Sequence, residues 1–145
     1  MRHRKARLRL GRPAGHREAM LAAIVCGLIR DNRITTTLSK ARAARRLAEK
    51  MVTLAKRDVP ADSDPRHVRQ ALRRQALSHL RQRDKVLRLF SEVAPRCHAR
   101  QGGYTRIIKL GRRPSDSSEM VLLEWVDAAP VKTPEPDAKA TPTKS

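Results

Sequence analysis

The sequence predicts an α/β fold of the α+β kind: about four helices packed on a small, mostly antiparallel sheet. An extended basic arm precedes it and a disordered tail follows. Three observations predict this. Apolar residues recur at helical spacing in separate stretches between Arg17 and Pro95. From Gly102 onward the apolar period drops to two, as a half-buried strand requires. Composition changes sharply at both ends, which divides the chain into an arm (1–15), a globular domain (16–126) and a tail (127–145).

The opening stretch carries Arg2, His3, Arg4, Lys5, Arg7, Arg9, Arg12, His16 and Arg17, and no acidic residue. Its few apolar side chains are too small a surface to offset the entropy of ordering it. Gly11, Pro13 and Gly15 are expected to break regular structure after Leu10. No apolar run follows the charges, so the stretch does not read as a signal peptide.

Arg17 to Arg30 reads as the first helix, with Met20, Leu21, Ile24, Val25, Leu28 and Ile29 on one stripe. Asp31-Asn32 ends it, because Asn tolerates left-handed geometry. Ile34-Thr35-Thr36 is a β-branched run suited to an edge strand, and Thr37 is placed to cap the next helix with its hydroxyl. That helix, Leu38 to Arg57, is the longest. Leu47, Met51, Leu54 and Ala55 form its apolar stripe, and Ala41, Ala44 and Ala48 permit close approach. Arg42, Arg45, Arg46, Lys50, Lys56 and Arg57 dominate its other side against the single Glu49. Alternating charge would mark an ordinary solvated face; a one-signed face repels itself unless an anion screens it.

Asp58 to Asp64 reads as a loop stopped by Pro60. Asp64-Pro65 opens the third helix, the acid as cap and the proline in the first turn. Val68, Ala71, Leu72, Ala76, Leu77 and Leu80 make its apolar side, while Arg66, Arg69, Arg73 and Arg74 face elsewhere. Asp84 is expected to cap a last helix with Val86, Leu87, Phe90 and Val93 inward, ending before Pro95. Tyr104, Arg106, Ile108 and Leu110 then alternate with Thr105, Ile107 and Lys109. A loop from Gly111 to Ser118 leads to a second strand, Met120 to Val126. The two form an antiparallel hairpin, joined by the Arg33–Thr36 strand, with Ile107, Val121 and Leu123, or the alternate set, covering the helices. The tail holds Pro130, Pro134, Pro136 and Pro142 and balanced charges, the composition of a disordered extension.

Charge decides the function class. The formal net charge is +19 over 145 residues, and the tail's charges cancel, so the excess lies in residues 1 to 126. Such an excess implies a polyanionic partner. Arg dominates the cations, and its planar fork suits phosphate. No apolar run is long enough to span a bilayer. Cys26 and Cys97 have no metal spacing and read as buried small hydrophobes. His3, His16, His67, His79 and His98 are scattered, and no phosphate loop or nucleophile motif appears. Asp62 and Asp64 lie close together, but beside a helix start, where capping explains them better than nuclease chemistry. The chain is therefore expected to be no enzyme, with no cofactor, no metal, no membrane and no small-molecule substrate.

Specific residues carry a family resemblance. Met1-Arg2-His3-Arg4-Lys5, Leu10-Gly11-Arg12, His16-Arg17 and Ala19-Met20-Leu21 resemble the opening of the bacterial large-subunit ribosomal protein numbered seventeen. The similarity continues through Arg33-Ile34-x-Thr36-Thr37-Leu38, Leu47-Ala48-Glu49-Lys50, Thr53-Leu54-Ala55-Lys56, Arg74-Gln75-Ala76, Ala94-Pro95-Arg96 and Gly102-Gly103-Tyr104-Thr105-Arg106-Ile107. It covers residues 1 to about 126. Cys97 and Pro114-Ser115-Asp116 depart from the family pattern. The resemblance implies an α/β domain bound to large-subunit rRNA near the exit of the nascent-peptide tunnel. It implies a structural role in the cytoplasmic ribosome among neighbouring ribosomal proteins.

Two binding readings follow. In the first, the arm with His16 and Arg17, the helical face of Arg42, Arg46, Lys50 and Arg57, and Arg73 and Arg74 grip rRNA by its phosphates and shape. The scarcity of aromatic residues speaks against reading of single strands on stacking platforms. In the alternative, a DNA-binding or DNA-compacting protein lays the same helices in a major groove.

Overall fold

The computed structural model describes residues 8–57 and 64–127. Most of the arm, the loop around Pro60 and the tail beyond Asp127 lie outside the described residues. Helix α1 spans Ala14–Asp31, strand β1 Arg33–Thr37 and helix α2 Leu38–Ala55. Helix α3 spans Pro65–Leu80 and α4 Arg83–Arg88; a π-helical turn, Leu89–Val93, carries α4 into α5, Ala94–Arg96. Strands β2 (Thr105–Arg112) and β3 (Glu119–Trp125) close the domain. The sheet order is β1-β3-β2, antiparallel throughout, so the last strand is the central one.

Helix α1 begins three residues earlier than the apolar period predicts. Pro13 occupies its N-cap position, and the Arg17 amide donates to the Pro13 carbonyl at 2.9 Å. A proline ahead of the first turn costs no hydrogen bond, and Gly15 is tolerated within it. Basic residues assigned to the arm thus approach the body of the protein through a helix. The far end of α1 is as expected: Asn32 takes the left-handed conformation at φ 61°. Two of its orphan carbonyls find side chains. The buried Trp125 indole Nε1 donates to Leu28 O at 3.0 Å, and Arg88 donates to Arg30 O at 2.9 Å.

Several local expectations need correction. Thr37 stands at the N-cap of α2, but its hydroxyl makes no capping bond. It is also the last residue of β1, paired with Met120, and the ladder fixes it instead. Asp84 does not cap α4; Gln82 precedes the helix, and Asp84 sits in its first turn, bonded to Lys85 Nζ at 2.5 Å. Its charge there still suits the helix dipole. The helix does not end before Pro95. The Ala94 amide bonds five residues back to Leu89 O, and this widened turn admits a ring that lacks an N–H. Leu87 is exposed rather than inward, since it lies about 100° round from Val86; Leu89 fills the core there. Leu77 is likewise exposed. Asp64 does cap α3, accepting from the Arg66 amide at 2.8 Å, with Pro65 at the first position.

The core is aliphatic. Val25, Leu28 and Ile29 of α1 meet Ala41, Ala44, Ala48, Met51 and Val52 of α2, all fully buried. Leu80 and Leu89 close one side, and Val121 and Leu123 of the central strand close the other. Both cysteines are buried thiols within this cluster. On β2, Thr105 and Ile107 face inward while Arg106, Ile108 and Leu110 face out. Tyr104 leaves that alternation. It precedes the strand, after Gly103 at φ +63°, and is buried against the end of α2. Strand β2 also runs past Leu110, which is extruded as a bulge beside Gly111 at φ +106°. The hairpin loop is organised by Asp116, which accepts from Arg113 Nε at 2.8 Å, Ser118 N at 3.2 Å and Ser118 Oγ at 2.8 Å. Arg113 and Ser118 together hold its carboxyl far below the usual range.

The sheet is tied to α2 by one acid. Glu49 accepts from Tyr104 N at 3.2 Å, Thr105 N at 3.1 Å and Thr105 Oγ1 at 2.8 Å. Replacing Glu49 with Ala leaves those donors without partners and is expected to cost roughly 2–4 kcal/mol. Urea unfolding followed by circular dichroism measures this; an unchanged midpoint would show the clamp to be idle. Burial pushes both thiols up, so Cys26 and Cys97 stay protonated at neutral pH. Iodoacetamide is expected to alkylate them slowly in the native protein and promptly in urea, with mass spectrometry as the readout.

Candidate nucleic-acid interface

Helical periodicity places Arg42, Arg45, Arg46, Glu49, Lys50 and Thr53 within one arc of α2, and Arg57 follows two residues past its end. Arg42, Arg46, Lys50 and Arg57 are exposed. Arg45 Nε approaches Glu49 Oε1 at 3.7 Å. The Glu49 oxygens otherwise accept from Tyr104 N and Thr105, so Glu49 makes no ion pair with Arg42, Arg46, Lys50 or Arg57. Lys56 is also drawn off. Its Nζ lies 4.9 Å from the centre of the Tyr104 ring and donates to Arg100 O and to Tyr104 Oη.

Most of the remaining described carboxylates pair with arginines outside α2. Arg30 pairs with Asp31 at 2.8 Å, Arg88 with Glu92 at 2.9 Å, Arg100 with Asp127 at 3.1 Å and Arg113 with Asp116 at 2.5 Å. Arg106 pairs with Glu124 across the sheet. Among the described residues, Arg42, Arg46, Lys50 and Arg57 form no ion pair. Helix α2 therefore carries several exposed cations against one acid, and that acid is bonded mainly to the sheet.

The other expected contact residues are distributed unevenly. Arg73 stands on α3 with its guanidinium carbon 5.8 Å from the Phe90 ring centre. It shares an open cleft of about 530 Å³ with Arg57 and with Arg69, which sequence reasoning placed on that helix but did not single out. The i, i+4 spacing of Arg69 and Arg73 was the available signal. Arg74, about 100° round the helix, is exposed away from the cleft lining. His16 and Arg17 stand in the first turn of α1, Arg9 is exposed, and Arg12 is half-buried with its Nε lacking a partner. Arg2, His3, Arg4, Lys5 and Arg7 lie outside the described residues. No cluster of three His, Cys, Asp or Glu exists among the described residues, and no described helix is long and apolar enough to cross a membrane.

Fold and surface together define a class: a small, basic α+β protein whose α2 and α3 carry exposed cations that form no ion pair among the described residues. Residues 20–126 match the family described as Ribosomal protein L17. The chain is 44% identical to the large ribosomal subunit protein bL17 of Geobacter metallireducens over 146 residues, covering all of this chain and 74% of that protein. It is 44% identical to bL17 of Akkermansia muciniphila, over 97% of this chain and 96% of that one. With bL17 of Geobacter sulfurreducens it shares 48% over 88% and 67%. The chain belongs to the ribosomal protein L17 family, a structural constituent of the large subunit, whose members work in the cytoplasmic ribosome.

The segregation of charge makes the α2 surface separable from the core beneath it. Changing Arg42 and Lys50 together to Gln is expected to shift stability by less than about 0.5 kcal/mol per site, since neither touches the core. Thermal unfolding reads this directly, and a large loss would place these side chains in the packing instead.

Proposed function

We propose that this chain binds large-subunit rRNA directly, through the stripe Arg42, Arg46, Lys50 and Arg57 and through its N-terminal basic residues. The single observation that supports it most is that stripe: exposed cations along α2 and just past its end, none of them ion-paired with Glu49. Guanidinium and ammonium groups neutralise phosphates and release counterions, and folded RNA offers phosphates, 2′-hydroxyls and shape. Arg2, His3, Arg4, Lys5, Arg7, Arg9 and Arg12, with His16 and Arg17, extend the contact into crevices between RNA helices. Arg73 and Arg74 add phosphate contacts on α3. The family resemblance supports a place near the exit of the nascent-peptide tunnel, among other large-subunit proteins. The role is architectural, with no reaction and no cofactor of its own.

The test is salt-dependent binding to an in vitro transcript of large-subunit rRNA, with duplex DNA of equal length as competitor. Removing residues 1–12 deletes Arg2, Arg4, Lys5, Arg7, Arg9 and Arg12. It is expected to lower the slope of log affinity against log salt by about 4–5 units. Changing Arg42 and Lys50 to Glu lowers it by about 2. Slopes that do not move would remove these residues from the interface, and equal affinity for DNA would favour a general nucleic-acid binder.

A further inference from the structure

The cleft beside α3 has a composition unlike the rest of the surface. Arg57, Arg69 and Arg73 stand around it, and no described carboxylate lines it. Lys56 and His98 also border it, but Lys56 is committed to Tyr104 and Arg100. Its walls are apolar: Ala55 from α2, Leu72 from α3, and Phe90, Ala94 and Pro95 from the π turn and α5. Phe90 is one of only three aromatic residues in the chain. It is half-buried, and the Arg73 guanidinium lies over its ring. At about 530 Å³ the cleft has the size of a small-ligand site rather than of a groove for a helix.

Cations around apolar walls with an arginine over an aromatic ring match a ligand that is anionic at one end and flat and apolar at the other. Paired RNA does not offer this, because its base faces are stacked inside and only phosphate, ribose and base edges reach the surface. It would engage the cations and leave the walls bare. A nucleotide turned out of the helix presents both parts at once. Its base can stack on a guanidinium plane or an aromatic face, and its phosphate accepts the arginine forks.

We propose that this cleft receives a single unpaired nucleotide of RNA, its phosphate held by Arg57, Arg69 and Arg73 and its base laid against the Arg73–Phe90 pair. The assignment rests on the rRNA-binding reading above and sharpens it. The α2 stripe supplies affinity for any phosphate backbone, and the cleft supplies discrimination for a bulged or looped nucleotide. It also revises what the scarcity of aromatics implies, since one well-placed ring suffices for one base.

The experiment uses the full-length chain and two RNA hairpins, identical but for one bulged uridine, in fluorescence anisotropy titrations. The bulged hairpin is expected to bind roughly tenfold tighter. Arg73→Gln, Arg69→Gln and Phe90→Leu each bring that ratio toward one, whereas Arg42→Gln weakens both hairpins and keeps it. The two arginine variants alter exposed side chains only, so they remain informative if Phe90→Leu unfolds by circular dichroism. With 4-thiouridine at the bulge, irradiation is expected to join it to a peptide spanning residues 69–73 or 90–98. Both hairpins binding equally to the unaltered chain would overturn the cleft assignment and leave the rRNA reading standing. So would a ratio that survives the substitutions, or a crosslink confined to other peptides. Uridine monophosphate displacing the bulged hairpin at micromolar concentration would assign the cleft to a free nucleotide instead. Failure to bind either hairpin or the large-subunit transcript at low salt would overturn the underlying reading itself.

Discussion

The three hydrogen bonds accepted by Glu49 join the two halves of the molecule. Helices α1 and α2 pack by their own apolar stripes, but the β2–β3 hairpin arrives only at the end of the chain. Glu49 takes hold of it at its first residues, Tyr104 and Thr105. Thr105 is paired with Trp125 across the sheet, and the Trp125 indole reaches Leu28 O on α1. One polar chain thus runs from α2 through both strands to α1, across the aliphatic core. The carboxylate meets backbone N–H groups at the start of β2, an edge strand, that its one neighbour β3 does not satisfy, so the bond meets a need of the sheet and not only of the helix.

That arrangement has an electrical consequence. An acid on a basic helix would ordinarily soften its face by i, i+4 pairing. Glu49 keeps only a long approach to Arg45 at 3.7 Å, while its oxygens are turned to the sheet. The same residue therefore ties the sheet to α2 and leaves Arg42, Arg46 and Lys50 with no ion pair among the described residues. Elsewhere the pattern is reversed: Glu92, Glu124, Asp116 and Asp127 hold arginines against the body of the protein. Arginine thus serves two purposes in this chain, and what separates them is the presence of a carboxylate within reach.

The element order, the first three helices and the hairpin were legible in the sequence because each rests on a local period. So were Asn32 as a left-handed terminus and Asp64-Pro65 as a helix start, where a single residue type has few other uses. What could not be read was tertiary. Thr37 loses its capping role to strand pairing with Met120. Pro95 is carried inside a helical segment because a π turn makes room, and no local pattern announces that turn. Leu87 and Leu89 are equally apolar, and only the packed position of the helix decides which is buried. For the interface, the cations of α2 stand out as a one-signed run. The inward turn of Glu49 and the meeting of Arg57, Arg69, Arg73 and Phe90 at one cleft depend on how α2, α3 and the π turn pack.

Helix α2 carries opposite demands on opposite faces. Ala41, Ala44 and Ala48 let its backbone approach α1 closely, and Met51 and Val52 complete a dry contact. The long cationic side chains project from the other side, where their mutual repulsion opposes folding at low salt. A stiff inner face is what lets the protein hold those charges in register, because a helix free to shift would spread them apart. Salt then acts on the two faces in opposite senses. It screens the repulsion and favours the free fold, while it weakens any grip on phosphate. A binding partner that supplies the phosphates relieves the repulsion by neutralising it. Relief of that repulsion adds to the counterion release that drives the grip on phosphate, and the alanine face lets the charges be neutralised without rearranging the core.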